Sequence, residues 1–308
     1  MKLIQHKREA FWFYRFLSNF YDHYVNPLFW TTGMRDASLE LAGLKPHQKV
    51  ADVGSGTGFT TEGIARWVDG ENIECLDQSP HQMARAKAKA ALQDCRFHLG
   101  DAEDLPFPTD AFDRYVSAGS IEYWPDPQRG IAEAYRILKP EGLALMIGPL
   151  RPKNLIGRWI ADTWMLFPEE RDYYQWFEAA GFVNIRKRYI APKWVLKEPY
   201  GIALVGEKPQ PGPSALSYEP DRFEARKSAV PVKSLPAFLG RLLAGSLAGF
   251  LFIPMALLGY LRYGVLKILG RPPVHPEVAR DRLPLQLKLV LAFLGLALVA
   301  ALAVRYAG

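Results

Sequence analysis

The chain is expected to fold as an open α/β sheet, mostly parallel, with helices on both faces. Three stretches lead to that expectation. The first is Val50-Ala51-Asp52-Val53-Gly54-Ser55-Gly56-Thr57-Gly58, an apolar run that ends in three glycines at every second position. The second is Ile73-Glu74-Cys75-Leu76-Asp77, an apolar run ending in an acid about twenty residues beyond the glycines. The third is Gly100-Asp101-Ala102-Glu103-Asp104-Leu105-Pro106-Phe107. A glycine turn between strand and helix lets a ligand lie against the backbone, beside the free N–H groups of the helix start. An acid at the end of the next strand is placed to meet ribose hydroxyls. The dinucleotide spacing G-x-G-x-x-G is not met, because Phe59 stands where its third glycine would be.

The elements follow in order. Lys7 to Phe20 is aromatic and basic, and reads as a helix that packs on the main domain. Tyr21 to Pro27 is a break, either a capped turn or a lid whose tyrosine and histidine face the site. Thr32 to Ala42 is helical, Lys49 to Val53 a buried strand, and Phe59 to Ala65 a helix by its periodicity. Ser79-Pro80 opens a helix to about Leu92, with an N-cap residue and proline at the first position. Arg96 to Leu99 and Phe112 to Ala118 are strands. The second opens into Gly119-Ser120-Ile121-Glu122-Tyr123-Trp124, at the sheet edge where such folds bind ligands. Asp126-Pro127 caps a helix to about Leu138, and Gly142 to Ile147 is a fifth strand. Glu169 to Ala180 is helical and Gly181 stops it. Val183 to Tyr189 and Gly201 to Glu207 then form a closing antiparallel pair.

Prolines at 209, 211, 213, 220, 231 and 236 mark an extended linker. Beyond it Leu242 to Leu261 carries no charge, and twenty helical residues cover about 30 Å, a bilayer's hydrocarbon core. A second uncharged run, Leu289 to Val304, is shorter. The division expected is 1–45 as a helical lid, 46–208 as the catalytic domain, 209–236 as linker and 237–308 as membrane-anchoring helices. The formal charge is +6. Much of that excess lies beside the apolar segments, which favours lipid over nucleic acid. The two cysteines, Cys75 and Cys95, read as small buried residues rather than a metal site, and no metal is expected. The first residues lack an apolar core, so no secretory signal is expected.

Several stretches together resemble one family. They are His6 to Leu17, Asp52 to Thr61, Leu76 to Gln82, Gly100 to Pro108, Asp113 to Gly130, Trp164 to Pro168 and Pro192 to Trp194. The chain is similar there to the plastid methyltransferases of 2-methyl-6-phytyl- and 2-methyl-6-solanyl-1,4-benzoquinol. The resemblance implies a class I S-adenosylmethionine-dependent fold and ring C-methylation in tocopherol and plastoquinone synthesis. It also implies a chloroplast inner envelope location. A prokaryotic cytoplasmic membrane is the alternative, since no transit peptide is visible.

On that reading S-adenosylmethionine is the cofactor and a prenylated quinol the substrate, with a lipid membrane as partner. No nucleic acid and no protein partner is expected. The cofactor residues are Asp52, Gly54, Ser55, Gly56, Asp77, Gln78, Asp101, Ala102 and Ser117. Tyr21 and Trp124 shape the substrate pocket. A ring carbon attacks a methyl group more readily once a hydroxyl has lost its proton, so a general base is expected. The candidates are His23, Glu122 and Tyr123, with His23 ranked first for its pKa near neutrality. Two rival readings are another lipid-quinone enzyme, such as a demethylmenaquinone methyltransferase, and a membrane-anchored protein whose methyltransferase fold does no chemistry.

Overall fold

The structure, a computed structural model, describes residues 26–195, 199–216, 235–271 and 278–279. Tyr21, His23, most of the expected linker and the apolar run 289–304 lie outside the described residues. At the centre stand β1 (Val50–Val53) and β4 (Phe112–Ala118), parallel neighbours with Asp52 opposite Val116. From β1 the sheet extends through β2 (Ile73–Asp77) to β3 (Arg96–Leu99), and from β4 the other way to β5 (Leu138–Pro149). β7 (Gly201–Glu207) runs antiparallel between β5 and β6 (Val183–Ile190). A two-residue strand, β8 (Val278–Ala279), pairs with the outer edge of β6. The order is β3-β2-β1-β4-β5-β7-β6-β8. The chain's direction of travel reverses between β1 and β4, which opens a crevice beyond their carboxyl ends.

Parallel neighbours need long crossovers, and helices supply them. After α1 (Asn26–Phe29) and α2 (Thr32–Leu39), α3 (Phe59–Ile64) links β1 to β2 and α4 (Pro80–Lys87) links β2 to β3. α5 (Pro127–Ile137) links β4 to β5. The caps are as expected: the Ser79 hydroxyl accepts from the Gln82 amide, and the Asp126 carboxylate from the Arg129 amide. α4 stops at Lys87, short of Leu92, and a 3-10 turn at Ala90–Leu92 carries the rest. One core layer joins Ile131, Tyr135, Phe177 and Leu204, and the other joins Met34, Leu39, Ile64 and Leu145. Strands covered on both faces are mostly apolar; β1 and β2 are buried at every position, Asp52, Glu74 and Asp77 included.

Two helices follow β5. α7 (Glu170–Ala180) is the one expected, capped reciprocally by Glu169 and Asp172 and ended by Gly181 at φ +102°. α6 (Leu155–Trp164) has no counterpart in the sequence reading. Its apolar residues go all round: Ile160 and Ala161 are buried, while Leu155, Ile156 and Trp159 are exposed.

The domain does not end at Lys208. That side chain is fully buried, and its ammonium donates to the Asp110 carboxylate at 2.6 Å and the Leu138 carbonyl at 2.7 Å. The Gly212 amide donates to Asp110, and the Ser214 hydroxyl to the Ala180 carbonyl, so the chain stays on the domain through Leu216. Further on, α8 (Leu235–Phe250) and α9 (Phe252–Ile268) make one apolar rod, broken at Leu251. Pro254 lacks an N–H and its ring crowds the carbonyl four residues back, which places the break there. By length and composition alone, the 31 residues Phe238–Ile268 could cross a membrane. The rod nonetheless lies on the domain, with α8 against α6.

Candidate active site

The glycine turn after β1 is tied to the end of β2. The amides of Gly54 and Ser55 both donate to the Leu76 carbonyl, at 2.7 and 3.1 Å, and the Gly56 amide donates to the Asp77 carboxylate at 2.9 Å. Gly54 has φ +74°, and a Cβ there would stand 2.5 Å from Cβ of Ser120. Only glycine satisfies both constraints. These amides hold the turn in shape. The Ser55 hydroxyl is buried, has no hydrogen-bond partner among the described residues, and belongs to a residue lining the crevice. A buried hydroxyl left unpaired is the group a bound ligand would satisfy.

Asp77 lines the same crevice. Its carboxylate also accepts from the Ser79 amide at 2.8 Å. Burial raises its pKa from the ordinary value, while the amides of Ser79, Gly56 and Gln78 pull the other way. Gln78, Asp101 and Ala102 continue that wall, and Gly119, Ser120, Tyr123 and Trp124 face it from the loop after β4. The fit to S-adenosylmethionine rests on this lining: an acid at the end of β2, an unpaired hydroxyl beside the turn, and aromatic rings on the facing loop.

Asp52 and Ser117 are placed differently from the expectation that they touch the cofactor. Neither lines the crevice among the described residues. Asp52 is fully buried behind the turn, accepts from the Thr61 hydroxyl at 2.6 Å, and is pushed by burial up to about 7. The Ser117 hydroxyl donates to the Val53 carbonyl at 2.7 Å and meets the Ser120 hydroxyl at 2.5 Å. Both support the lining from behind.

Glu122 likewise lies one layer back. Burial pushes its carboxyl up to about 8, and one of its oxygens has no hydrogen-bond partner among the described residues. It lies beside Gly119, which lines the crevice: a Cβ built there would be 3.7 Å from Oε1 of Glu122 and 3.6 Å from Nε1 of Trp30. Tyr123 and Trp124 line the crevice directly. Trp124 reaches it by packing over Gly130 of α5, where a Cβ would be 2.4 Å from the indole. Tyr123 also belongs to an apolar cluster with Ile160, Met165 and Phe167, and with Ala248 and Phe252 of the rod.

Sequence reasoning passed over Trp30, Arg35, Phe59 and Thr60, all of which line the crevice. Arg35 is buried, donates to the Phe59 carbonyl at 2.9 Å, and lies over the Phe59 ring at 4.8 Å. No local pattern marks it, since only the packing of α2 on α3 brings it to the site.

A methyltransferase domain family matches residues 51–146. The 2-methyl-6-phytyl-1,4-hydroquinone methyltransferase of Arabidopsis thaliana, named as chloroplastic, is 53% identical over 262 residues, covering 82% of this chain and 77% of that protein. The Spinacia oleracea protein of the same name is 52% identical over 258 residues, covering 82% and 74%. In structure the chain resembles an S-adenosylmethionine-dependent methyltransferase of Thermotoga maritima, with TM-score 0.51 and 18% identity over 64% of this chain and 99% of that one. That likeness supports the fold. The order of the strands, the crevice at the switch between β1 and β4 and the identity to the plant enzymes agree, and the chain belongs to the 2-methyl-6-phytyl-1,4-hydroquinone methyltransferase family, as an S-adenosylmethionine-dependent methyltransferase.

Proposed function

We propose that the chain methylates a ring carbon of a prenylated benzoquinol of the 2-methyl-6-phytyl or 2-methyl-6-solanyl type. The observation that carries this reading is the continuity of the site with apolar surface. Tyr123 lines the crevice and packs into the cluster shared with Phe252 of the rod. A polar ring can sit at the crevice while its prenyl tail follows that cluster outward. Bound S-adenosylmethionine supplies the electrophilic methyl group.

Asp77, Gln78, Asp101, Ala102, Gly54, Ser55 and Gly56 hold the cofactor, with Asp52 and Ser117 supporting them. Trp124, with Tyr21 of the amino-terminal lid, shapes the ring pocket. His23, Glu122 and Tyr123 are the candidates to take the hydroxyl proton. The protein works attached to a membrane, in a plastid as the relatives' names suggest. The division into lid, catalytic domain running through Leu216, linker and anchoring helices belongs to the same proposal.

The test is methyl transfer from radiolabelled donor, using membranes that hold the full chain and a panel of prenyl quinols. Label should enter 2-methyl-6-phytyl-1,4-benzoquinol. Label entering demethylmenaquinol instead would overturn the substrate assignment, and no transfer to any quinol would leave a fold without this chemistry.

A further inference from the structure

Among the described residues that line the crevice, Arg35 is the only lysine, arginine or histidine. The acids of the lining are Asp77 and Asp101. Asp52 and Glu122 stand behind it, where burial raises both carboxyls. An anionic group that a ligand brings into this crevice therefore has one cation to meet among these residues.

Arg35 is built into the wall. Its side chain is 4% exposed. A Cβ on Gly63 of α3 would stand 2.7 Å from its Nε and 2.6 Å from the Leu39 side chain, so the glycine leaves the slot in which the arginine lies. The guanidinium carbon is 4.8 Å from the centre of the Phe59 ring. Nη1 donates to the Phe59 carbonyl at 2.9 Å, and Nε donates to Oδ1 of Asp36 at 2.7 Å. Nη2 is 2.7 Å from the same oxygen, but it is buried and makes no hydrogen bond among the described residues. One carboxylate oxygen stands before two nitrogens, and one of them is left over. A buried charged donor without an acceptor is costly, so the vacancy calls for a ligand oxygen. Asp36 does not cancel the charge either. It is 43% exposed, and its other oxygen takes Arg66 at 2.9 Å. Two guanidiniums share one carboxylate, which leaves the group with a single positive charge.

The cofactor offers one anion, the carboxylate of its amino-acid end. Two oxygens in a plane match the fork of a guanidinium. Position agrees with chemistry. Arg35 packs on Phe59, the first residue of α3, and the glycine turn opens directly into that helix. The unpaired Ser55 hydroxyl belongs to the same turn. Tyr123 and Trp124 enter the crevice from the loop after β4. We propose that Arg35 holds the carboxylate of the bound cofactor through the Nη2 that is left over. The donor is then fixed at two points, its ribose on Asp77 and its amino-acid end on Arg35. The carboxylate is the same in the donor and in its product, S-adenosylhomocysteine. The contact therefore tightens both alike and does not itself speed methyl transfer. The proposal rests on the cofactor assignment and not on the choice of quinol.

The test is isothermal titration of the full chain with S-adenosylhomocysteine and with its decarboxylated analogue, which keeps the amine. The parent should bind the first roughly 10-fold to 150-fold more tightly, the range for losing a hydrogen bond to a charged group. Arg35→Met keeps an apolar stem and removes the fork. It should lose that same factor for S-adenosylhomocysteine and bind the decarboxylated analogue as the parent does. Arg35→Lys keeps the charge without the fork, and its affinity should fall between the two. A parent that holds both ligands alike overturns the proposal without any variant. Equal loss of both ligands in Arg35→Met would make Arg35 a strut for α3, and overturns it as well. A variant that binds S-adenosylhomocysteine like the parent but turns over more slowly would place the guanidinium on the quinol, which also overturns it.

Discussion

Asp77 serves two partners at once, because the carboxylate that faces the crevice also holds the Gly56 and Ser79 amides. Asp77→Ala therefore removes an acceptor for the cofactor and slackens the turn. S-adenosylmethionine affinity should fall by about 1–3 kcal/mol, or roughly fivefold to 150-fold in Kd, by isothermal titration. Unchanged affinity would remove Asp77 from the site. Glu122 makes a prediction about pH. Its folded carboxyl titrates near 8, against an ordinary 4.5. Below the ordinary value it is protonated in both states and costs nothing. As pH rises the unfolded chain releases the proton first, so this stability is lost progressively and levels off above the folded value. Urea denaturation should show the parent losing ground to Glu122→Gln from about pH 5 to about pH 8. The rate profile separates the candidate bases. A rising limb centred near 8 that disappears in Glu122→Gln assigns the proton to Glu122. A limb near 6.5 that disappears in His23→Ala assigns it to His23.

At the scale of elements, α5 shows how one missing side chain sets the site. Glycine inside a helix ordinarily costs about 1 kcal/mol relative to alanine. Here alanine would drive its Cβ to 2.4 Å from Trp124, and overpacking costs about 1–3 kcal/mol. Gly130→Ala should therefore destabilise by denaturant titration, and should raise KM for the quinol by displacing Trp124, with cofactor affinity little changed. A gain in stability would show that Trp124 moves aside freely. Elements with a strong local signature were legible in the sequence. β1, β2 and β4 are apolar runs bounded by glycine or acid, and α5 and α7 carry caps. α6 carries a cap too, Asn154 accepting from the Gly157 amide, but was passed over. Within the site, Asp77 and the glycines follow from spacing. Trp30 and Arg35 come from residues that only tertiary packing brings to the crevice.

For the whole molecule, the seam between tail and catalytic domain matters most. Residues 209–216 complete the domain through Asp110 and Ala180, and the rod covers Ile160, Met165 and Phe167. A chain cut after Leu216 should keep cofactor binding but expose that cluster, so it should self-associate in dilute buffer by light scattering. A chain cut after Lys208 should in addition unfold at lower denaturant, having lost the Asp110 and Ala180 anchors. A monodisperse, unshifted product from both cuts would show that the tail is an appendage. The insertion of β7 between β5 and β6 has a consequence in time. During synthesis β5 emerges about fifty residues ahead of β7, a delay of a few seconds at ordinary elongation rates. Throughout that interval the apolar edge Leu143 to Ile147 has no strand beside it, and β6 arrives first but belongs one place further out. The nascent chain therefore carries an unpaired edge that its own next strand must not take, a point at which pairing with a neighbouring nascent chain competes with folding.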